Sequence, residues 1–243
     1  MKSRLDQLLV ARGLAASREK AQALILAGLV EVDGRRAEKA GAPTSADADV
    51  RVSGPPHPYV SRGGVKLAAA LEAFGIDPSG AVCLDVGAST GGFTDCLLQR
   101  GAARVYAVDV GSGQIDARLR ADPRVVLREK TNARFLSRED VPEPIALAAM
   151  DLSFISARLV LPAIVPLLAP RATLVVLVKP QFEAGKGEVP RGGVVRDARA
   201  QRRSVDEVTR AGESLGLVAI GTAPAPIKGA SGNQEFLVAF RAG

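Results

Sequence analysis

The sequence predicts an α/β fold, a mostly parallel sheet with helices on both faces, preceded by a small α+β unit. Three observations point to it. From Tyr59 onward, short apolar runs alternate with helical patterns, as successive β-α-β units require. Polar residues collect where those runs end, along the carboxyl edge at which such sheets bind ligands. Around residues 53–60, "SGPPHPYV", consecutive prolines favour an extended, semi-rigid connector. The expected division is residues 1–55, a linker at 56–60 and residues 61–243.

In the first part, "RLDQLLVARG" places Leu5, Leu8, Leu9 and Val10 on one helical face, and Gly13 can end the helix. "SREKAQALILAG" opens with Ser17 as an N-cap and stops at Gly28. "LVEVDGRRA" alternates through Leu29, Val30 and Val32 and turns at Asp33-Gly34, a strong hairpin signal. With "RLD", Gly13, "SR" at 17–18, Ala21, Ile25, Gly28 and "V-x-V-D-G" at 30–34, this stretch resembles the S4-type RNA-binding domain. That resemblance implies an RNA partner, with Arg4, Arg12, Arg18 and Lys20 presented to phosphates. By charge alone, the same four residues also fit a solvated helix face.

The second part offers seven strand candidates: "AVCLDVG", "RVYAVDV", "RVVLRE", "IALAAMDL", "TLVVLVK", "LVAIGTA" and "EFLVAF". A helix, "YVSRGGVKLAAALEAF", comes before the first of them. The fifth strand ends on Lys179, and Pro180 bars continuation by steric clash and a missing N–H.

Composition narrows the function classes. The chain has 243 residues, 47% hydrophobic and 24% charged, as a soluble globular protein with a core has. A net charge of +6 favours an acidic partner, nucleic acid first. Two cysteines, Cys83 and Cys96, are too few for a disulfide framework and suit a reducing, cytoplasmic setting. With His57 as its one histidine, neither a Ser-His-Asp triad nor a zinc site is expected. The most membrane-like run, "LVLPAIVPLLAP", carries three prolines and falls short of the roughly 20 residues that span a bilayer. No membrane segment and no membrane partner are expected, and oligomeric state is not legible.

After the first strand comes "LDVGASTGGFT", residues 84–94. Glycines there let the backbone approach a ligand, and the following helix offers free N–H groups. A nicotinamide site would read G-x-G-x-x-G. This one reads D-x-G-x-x-x-G-G and resembles the S-adenosylmethionine loop of Rossmann-like methyltransferases. The resemblance implies S-adenosylmethionine as cofactor. Asp85 would orient its methionine end or a nearby water, with Gly87, Ser89, Gly91, Gly92 and Phe93 shaping the pocket. Asp109, at the tip of the second strand, can accept hydrogen bonds from both ribose hydroxyls of an adenosyl group; read alone, it also fits a cap or turn aspartate. Thr131 and Asn132 in "REKTNAR" are assigned to the adenine side.

In the strand order usual for this class, Asp151 at the end of strand four lies beside Lys179. An antiparallel last strand brings Glu235 to the same edge, and the helix before strand one offers Lys66. Lys66, Asp151, Lys179 and Glu235 resemble the K-D-K-E tetrad of FtsJ-like ribose 2′-O-methyltransferases. With "VSRGGVKL", "DLSFIS", "VKPQFE", "GKG" and "SGN-x-E" also in place, the whole chain resembles the TlyA (haemolysin A-like) family of rRNA methyltransferases.

That resemblance implies methylation of a cytidine ribose in rRNA. A lysine whose amine is partly neutral can take the hydroxyl proton, and a second cation nearby favours that state. Lys179 is the candidate base and Lys66 the second cation. Asp151 and Glu235 pull the other way, so they are assigned to orientation and charge balance. No metal is required. The chain starts almost directly at "RLDQLL" and stops after "FLVAFRAG", like the family's shorter form, which implies large-subunit 23S rRNA. The glycine-rich, basic "GKGEVPRGGVVRD" reads as an RNA-contacting loop or as an ordinary surface loop. Two other readings stay open: a non-catalytic RNA-binding assembly factor, and a membrane-active haemolysin, which the absence of a lipid-facing segment disfavours.

Overall fold

The structure, a computed structural model, describes residues 2–15, 17–26, 28–52, 57–184, 189–190, 192–229 and 231–243. Residues 53–56 of the expected connector, and residues 185–188 and 191 of the expected RNA-contacting loop, lie outside these. The chain forms two compact units, Met1–Pro58 and Tyr59–Gly243.

The first unit runs β1 (Lys2–Arg4), α1 (Leu5–Ala11), α2 (Arg18–Leu26), β2 (Val30–Val32), β3 (Arg35–Arg36), β4 (Pro43–Ser45) and β5 (Val50–Val52). Leu5 and Leu9 of α1 pack with Ala21 and Ile25 of α2 and with Val30. Val10 does not join them; one residue on from Leu9 the helix has turned about 100°, and Val10 is exposed. The Ser17 hydroxyl accepts from the Lys20 N–H at 3.3 Å, which caps α2. Asp33 and Gly34 take φ of 51° and 75°, the paired left-handed conformation of a type I′ turn, and β2 pairs antiparallel with both β3 and β5. The sequence reading had no place for the β1–β4 pair, whose three-residue strands are too short to show a period.

The second unit opens with α3 (Gly63–Ala73), then β6 (Val82–Val86), α4 (Gly92–Gln99), β7 (Arg104–Val108), α5 (Ala117–Ala121), β8 (Val125–Arg128) and β9 (Ile145–Met150). It continues with α6 (Leu161–Ile164), β10 (Leu168–Val178), α7 (Pro180–Glu183), α8 (Ala198–Ser214), β11 (Leu217–Pro224) and β12 (Phe236–Ala242). The sheet order is β11-β12-β10-β9-β6-β7-β8, with β12 antiparallel to both its neighbours and the other neighbouring pairs parallel. All seven expected strands form. β10 begins five residues early, at Leu168, through an irregularity before Thr173.

Side chains along each strand alternate between two cores. Leu84, Val86, Met150 and Val176 meet α6 and α8 on one face, while Cys83, Leu147, Val175 and Leu177 meet α3 and α4 on the other. Helices on both faces are why these strands read as unbroken apolar runs. Because β6, β7, β9 and β10 run parallel, their carboxyl ends share one edge, and the antiparallel β12 begins there: Val178 pairs with Phe236.

Candidate active site

Beyond that edge lies a cleft of about 460 Å³ lined by Gly87, Ser89, Asp109, Thr131, Asn132 and Asp151, among others. The turn after β6 forms its floor. Gly87 sits at φ +90°, and a Cβ there would collide with the Asp151 carbonyl oxygen, so only glycine fits. Gly91, at φ +95°, starts α4, and a Cβ on it would collide with Leu119.

Asp109 is held from below. Its Oδ2 accepts from the Ser89 N–H at 2.7 Å and its Oδ1 from the Gly111 N–H at 2.6 Å. Each carboxylate oxygen has two lone pairs, so capacity remains for two hydroxyls above. Thr131 and Asn132 line the cleft, with the Asn132 side chain also capping a short helical turn at Ala133–Phe135.

Asp85 stands differently. It is fully buried beneath the glycine turn, and its Oδ2 accepts from the Thr94 N–H at 2.8 Å and the Thr94 hydroxyl at 2.6 Å. Its Oδ1 has no partner among the described residues. Burial pushes its pKa up to about 7, with the nearby charges of Asp151 and Asp109 adding and the Thr94 hydrogen bonds opposing. Asp85 and Phe93 do not line the cleft: Phe93 is 3% exposed and packs in the core on the α3–α4 face. Its aromatic ring in a glycine turn is core, not pocket. Gly91 and Gly92 likewise act from behind, shaping the start of α4.

The four tetrad candidates stand at the carboxyl edge as two ion pairs. Lys66 of α3 donates to Glu235 Oε2 at 2.5 Å, with side chains 8% and 3% exposed. Lys179 Nζ lies 2.6 Å from Asp151 Oδ1 and donates to Ser153 Oγ at 2.9 Å. Lys179 and Glu235 each sit one residue beyond the last registered pair of β10 and β12, so the two pairs meet at one register position. Asp151 is anchored by its N–H to the Val86 carbonyl at 2.9 Å, directly before Gly87. Each ammonium thus faces its own carboxylate.

Several neighbours went unassigned in the sequence. Gln114 lines the cleft and accepts from the Ser89 hydroxyl at 3.2 Å. Ser153 and Phe154 follow Asp151, and Phe154 is 91% exposed at the cleft. Glu183 is buried against the same segment. The strings "DLSFIS" and "VKPQFE" were the available signal.

In the first unit the basic candidates divide. Asp6 is fully buried and accepts from Arg4, Arg18 and Gln22. The Arg4 hydrogen bonds hold its carboxyl well below the usual carboxylate range. Arg12 is also employed internally, donating to the carbonyls of Ala48 and Ala46. Lys20 is exposed, and Arg4 and Arg18 keep 45% and 48% of their side chains open.

Comparison with known proteins accords with this geometry. The FtsJ-like methyltransferase model matches residues 59–242, and the S4 domain model residues 3–49. The chain is 50% identical over 241 residues to a Mycobacterium tuberculosis protein named 16S/23S rRNA (cytidine-2′-O)-methyltransferase TlyA, covering 99% of this chain and 90% of that one. It is 37% identical to a Campylobacter jejuni protein named 23S rRNA (cytidine-2′-O)-methyltransferase TlyA, covering 73% of this chain and 69% of that one. A solved Streptococcus thermophilus structure named as a hemolysin superposes with a TM-score of 0.79 at 39% identity, over 99% of this chain and 88% of that one. The chain belongs to the TlyA family, in which an S4 domain precedes an FtsJ-like methyltransferase domain.

Proposed function

We propose that this protein transfers a methyl group from S-adenosylmethionine to the ribose 2′-oxygen of a cytidine in rRNA, acting on large-subunit 23S rRNA in the cytoplasm. The observation that carries the reading is the pair of Lys–carboxylate contacts at the carboxyl edge of the sheet, one of whose acids, Asp151, also lines the cleft floored by Gly87 and walled by Asp109. The large subunit is favoured because 23S appears in the names of both relatives above that specify a target.

The residues fit S-adenosylmethionine. Gly87 keeps the floor open, Asp109 has lone pairs for ribose hydroxyls, and Thr131 and Asn132 border the adenine end. When bound, the cofactor supplies an electrophilic methyl on a sulfonium sulfur. Lys179 would receive the target hydroxyl and, once its ammonium has given up a proton, take the hydroxyl proton as the oxygen–methyl bond forms and the methyl–sulfur bond breaks. Asp151 and Ser153 hold that amine in place, while Lys66 and Glu235 balance charge beside it. Phe154 offers an open ring on which a base can stack. Positioning supplies much of the acceleration. The S4 unit contributes affinity for phosphates through Lys20 and the open halves of Arg4 and Arg18, with Arg12 adding its charge beside them.

The test is mass spectrometry of nucleosides from isolated ribosomal subunits treated with the protein and S-adenosylmethionine. Lys179→Ala should abolish 2′-O-methylcytidine in the large subunit. Equal methylation by the variant removes Lys179 from the mechanism, and methyl groups confined to 16S rRNA remove the large-subunit assignment. If calorimetry finds no S-adenosylmethionine binding, a non-catalytic RNA binder is left. Among the described residues no helix is long and apolar enough to cross a membrane.

A further inference from the structure

We infer that Glu183 is a positioning residue, whose buried carboxylate sets the placement of Lys179 by locking the 151–158 segment against α7. This role presupposes that Lys179 is the base, as proposed above.

Glu183 is 4% exposed, an expensive place for a carboxylate unless it is fully used. It is used. Its Oε2 accepts from the Ser156 hydroxyl at 2.5 Å and its Oε1 from the Ala157 N–H at 2.7 Å. Arg158 balances the charge, with Nε 3.3 Å from Oε2 and Nη2 donating to the Glu183 carbonyl at 3.1 Å. Arg158 in turn reaches Glu207 of α8 at 2.6 Å.

The other end of the same two segments carries the amine. Lys179 precedes α7 and contacts Asp151 and Ser153, and the Phe182 ring lies 5.3 Å from that of Phe154. Both segments need outside support. α7 is a single turn, too short to hold itself. Phe154 adopts φ +65°, a left-handed conformation that a bulky side chain keeps only when its surroundings enforce it. Its ring is exposed, so burial does not enforce it. Glu183 grips the chain two and three residues further on, at Ser156 and Ala157. Losing that grip frees the loop that presents Asp151 and Ser153 to Lys179. Asp109 and Thr131, which line the cleft from other strand ends, are expected to stay where they are.

Glu183→Gln keeps the volume but presents an amide N–H₂ where two donors converge. The measurement is single-turnover methyl transfer from tritiated S-adenosylmethionine to isolated large and small ribosomal subunits, with half-saturating concentrations determined for both substrates. The maximal rate should fall by about tenfold to a hundredfold, the scale on which a small displacement of a reacting group acts, while both half-saturation values stay within about threefold. A purely structural tie would lower thermal stability and leave the saturated rate intact. Lys179→Ala is measured alongside. If it transfers methyl at the wild-type rate, the base assignment fails and the positioning role with it. If Lys179→Ala is inactive while Glu183→Gln keeps its maximal rate within about tenfold of wild type, or loses activity only through weaker half-saturation, the positioning role alone is overturned. Should Glu183→Gln fail to fold, Ser156→Ala decides by the same split, with an expected slowing of about threefold or more and a smaller effect overturning the role.

Discussion

Lys66→Met removes the ammonium 2.5 Å from Glu235 and leaves that carboxylate buried without its cation. With side chains only 8% and 3% exposed, solvent screens the pair little. Breaking a buried pair from one side costs about 3–5 kcal/mol, because the remaining charge stays desolvated. In a unit of this size that lowers the melting temperature by roughly 6–20 °C. The protein supplies its own probe: it has no tryptophan, and its two tyrosines, Tyr59 and Tyr106, both lie in the Tyr59–Gly243 unit. Tyrosine fluorescence during urea or thermal unfolding therefore follows the methyltransferase unit alone. Lys66→Met combined with Glu235→Leu should recover most of the lost stability, since an apolar pair needs no desolvation of charge, and should remain inactive in methyl transfer. A single variant within about 1 kcal/mol of wild type would refute the buried pairing, as would a double variant no more stable than the single.

Two further outcomes follow from the glycine turn. Asp85, pushed up to about 7 by burial, holds in the folded state a proton that the unfolded chain releases in the ordinary aspartate range. Its contribution to stability is therefore full at low pH and is lost as pH rises through about 7; relative to Asp85→Asn, the wild type should lose a few kcal/mol between about pH 5 and 8, and a pH-independent difference in tyrosine-monitored urea melts would contradict this. Gly87→Ala drives a methyl into the Asp151 carbonyl at a φ of +90°, so calorimetry should show S-adenosylmethionine affinity reduced by about tenfold or more; unaltered affinity would mean the turn is not the cleft floor.

The strands of the methyltransferase unit were legible because a sheet covered on both sides needs continuous apolar runs, and "TLVVLVK" has no other comfortable home. Hairpin and caps in the first unit were legible too, since Asp33-Gly34 and Ser17 act within a few residues of themselves. Start points were less clear: β10 begins at Leu168, five residues ahead of the expected Thr173, because register with β9 and not local composition decides where pairing begins. Arg4 and Arg18 read as cations for RNA, yet both are partly committed to Asp6, an acid whose burial no local pattern announces. Phe93 read as pocket and is core.

Residue types, spacing and resemblance were enough to single out the four tetrad candidates and the glycine turn, because strand-end residues and a turn that requires glycines are visible in the sequence. What depended on the tertiary structure was the pairing: Lys66 with Glu235, Lys179 with Asp151, Glu183 with Ser156 and Ala157. Lys66 and Glu235 are 169 residues apart. Contacts at that separation are set by strand order and by the direction of the last strand, which are properties of the closed sheet and not of any window of sequence.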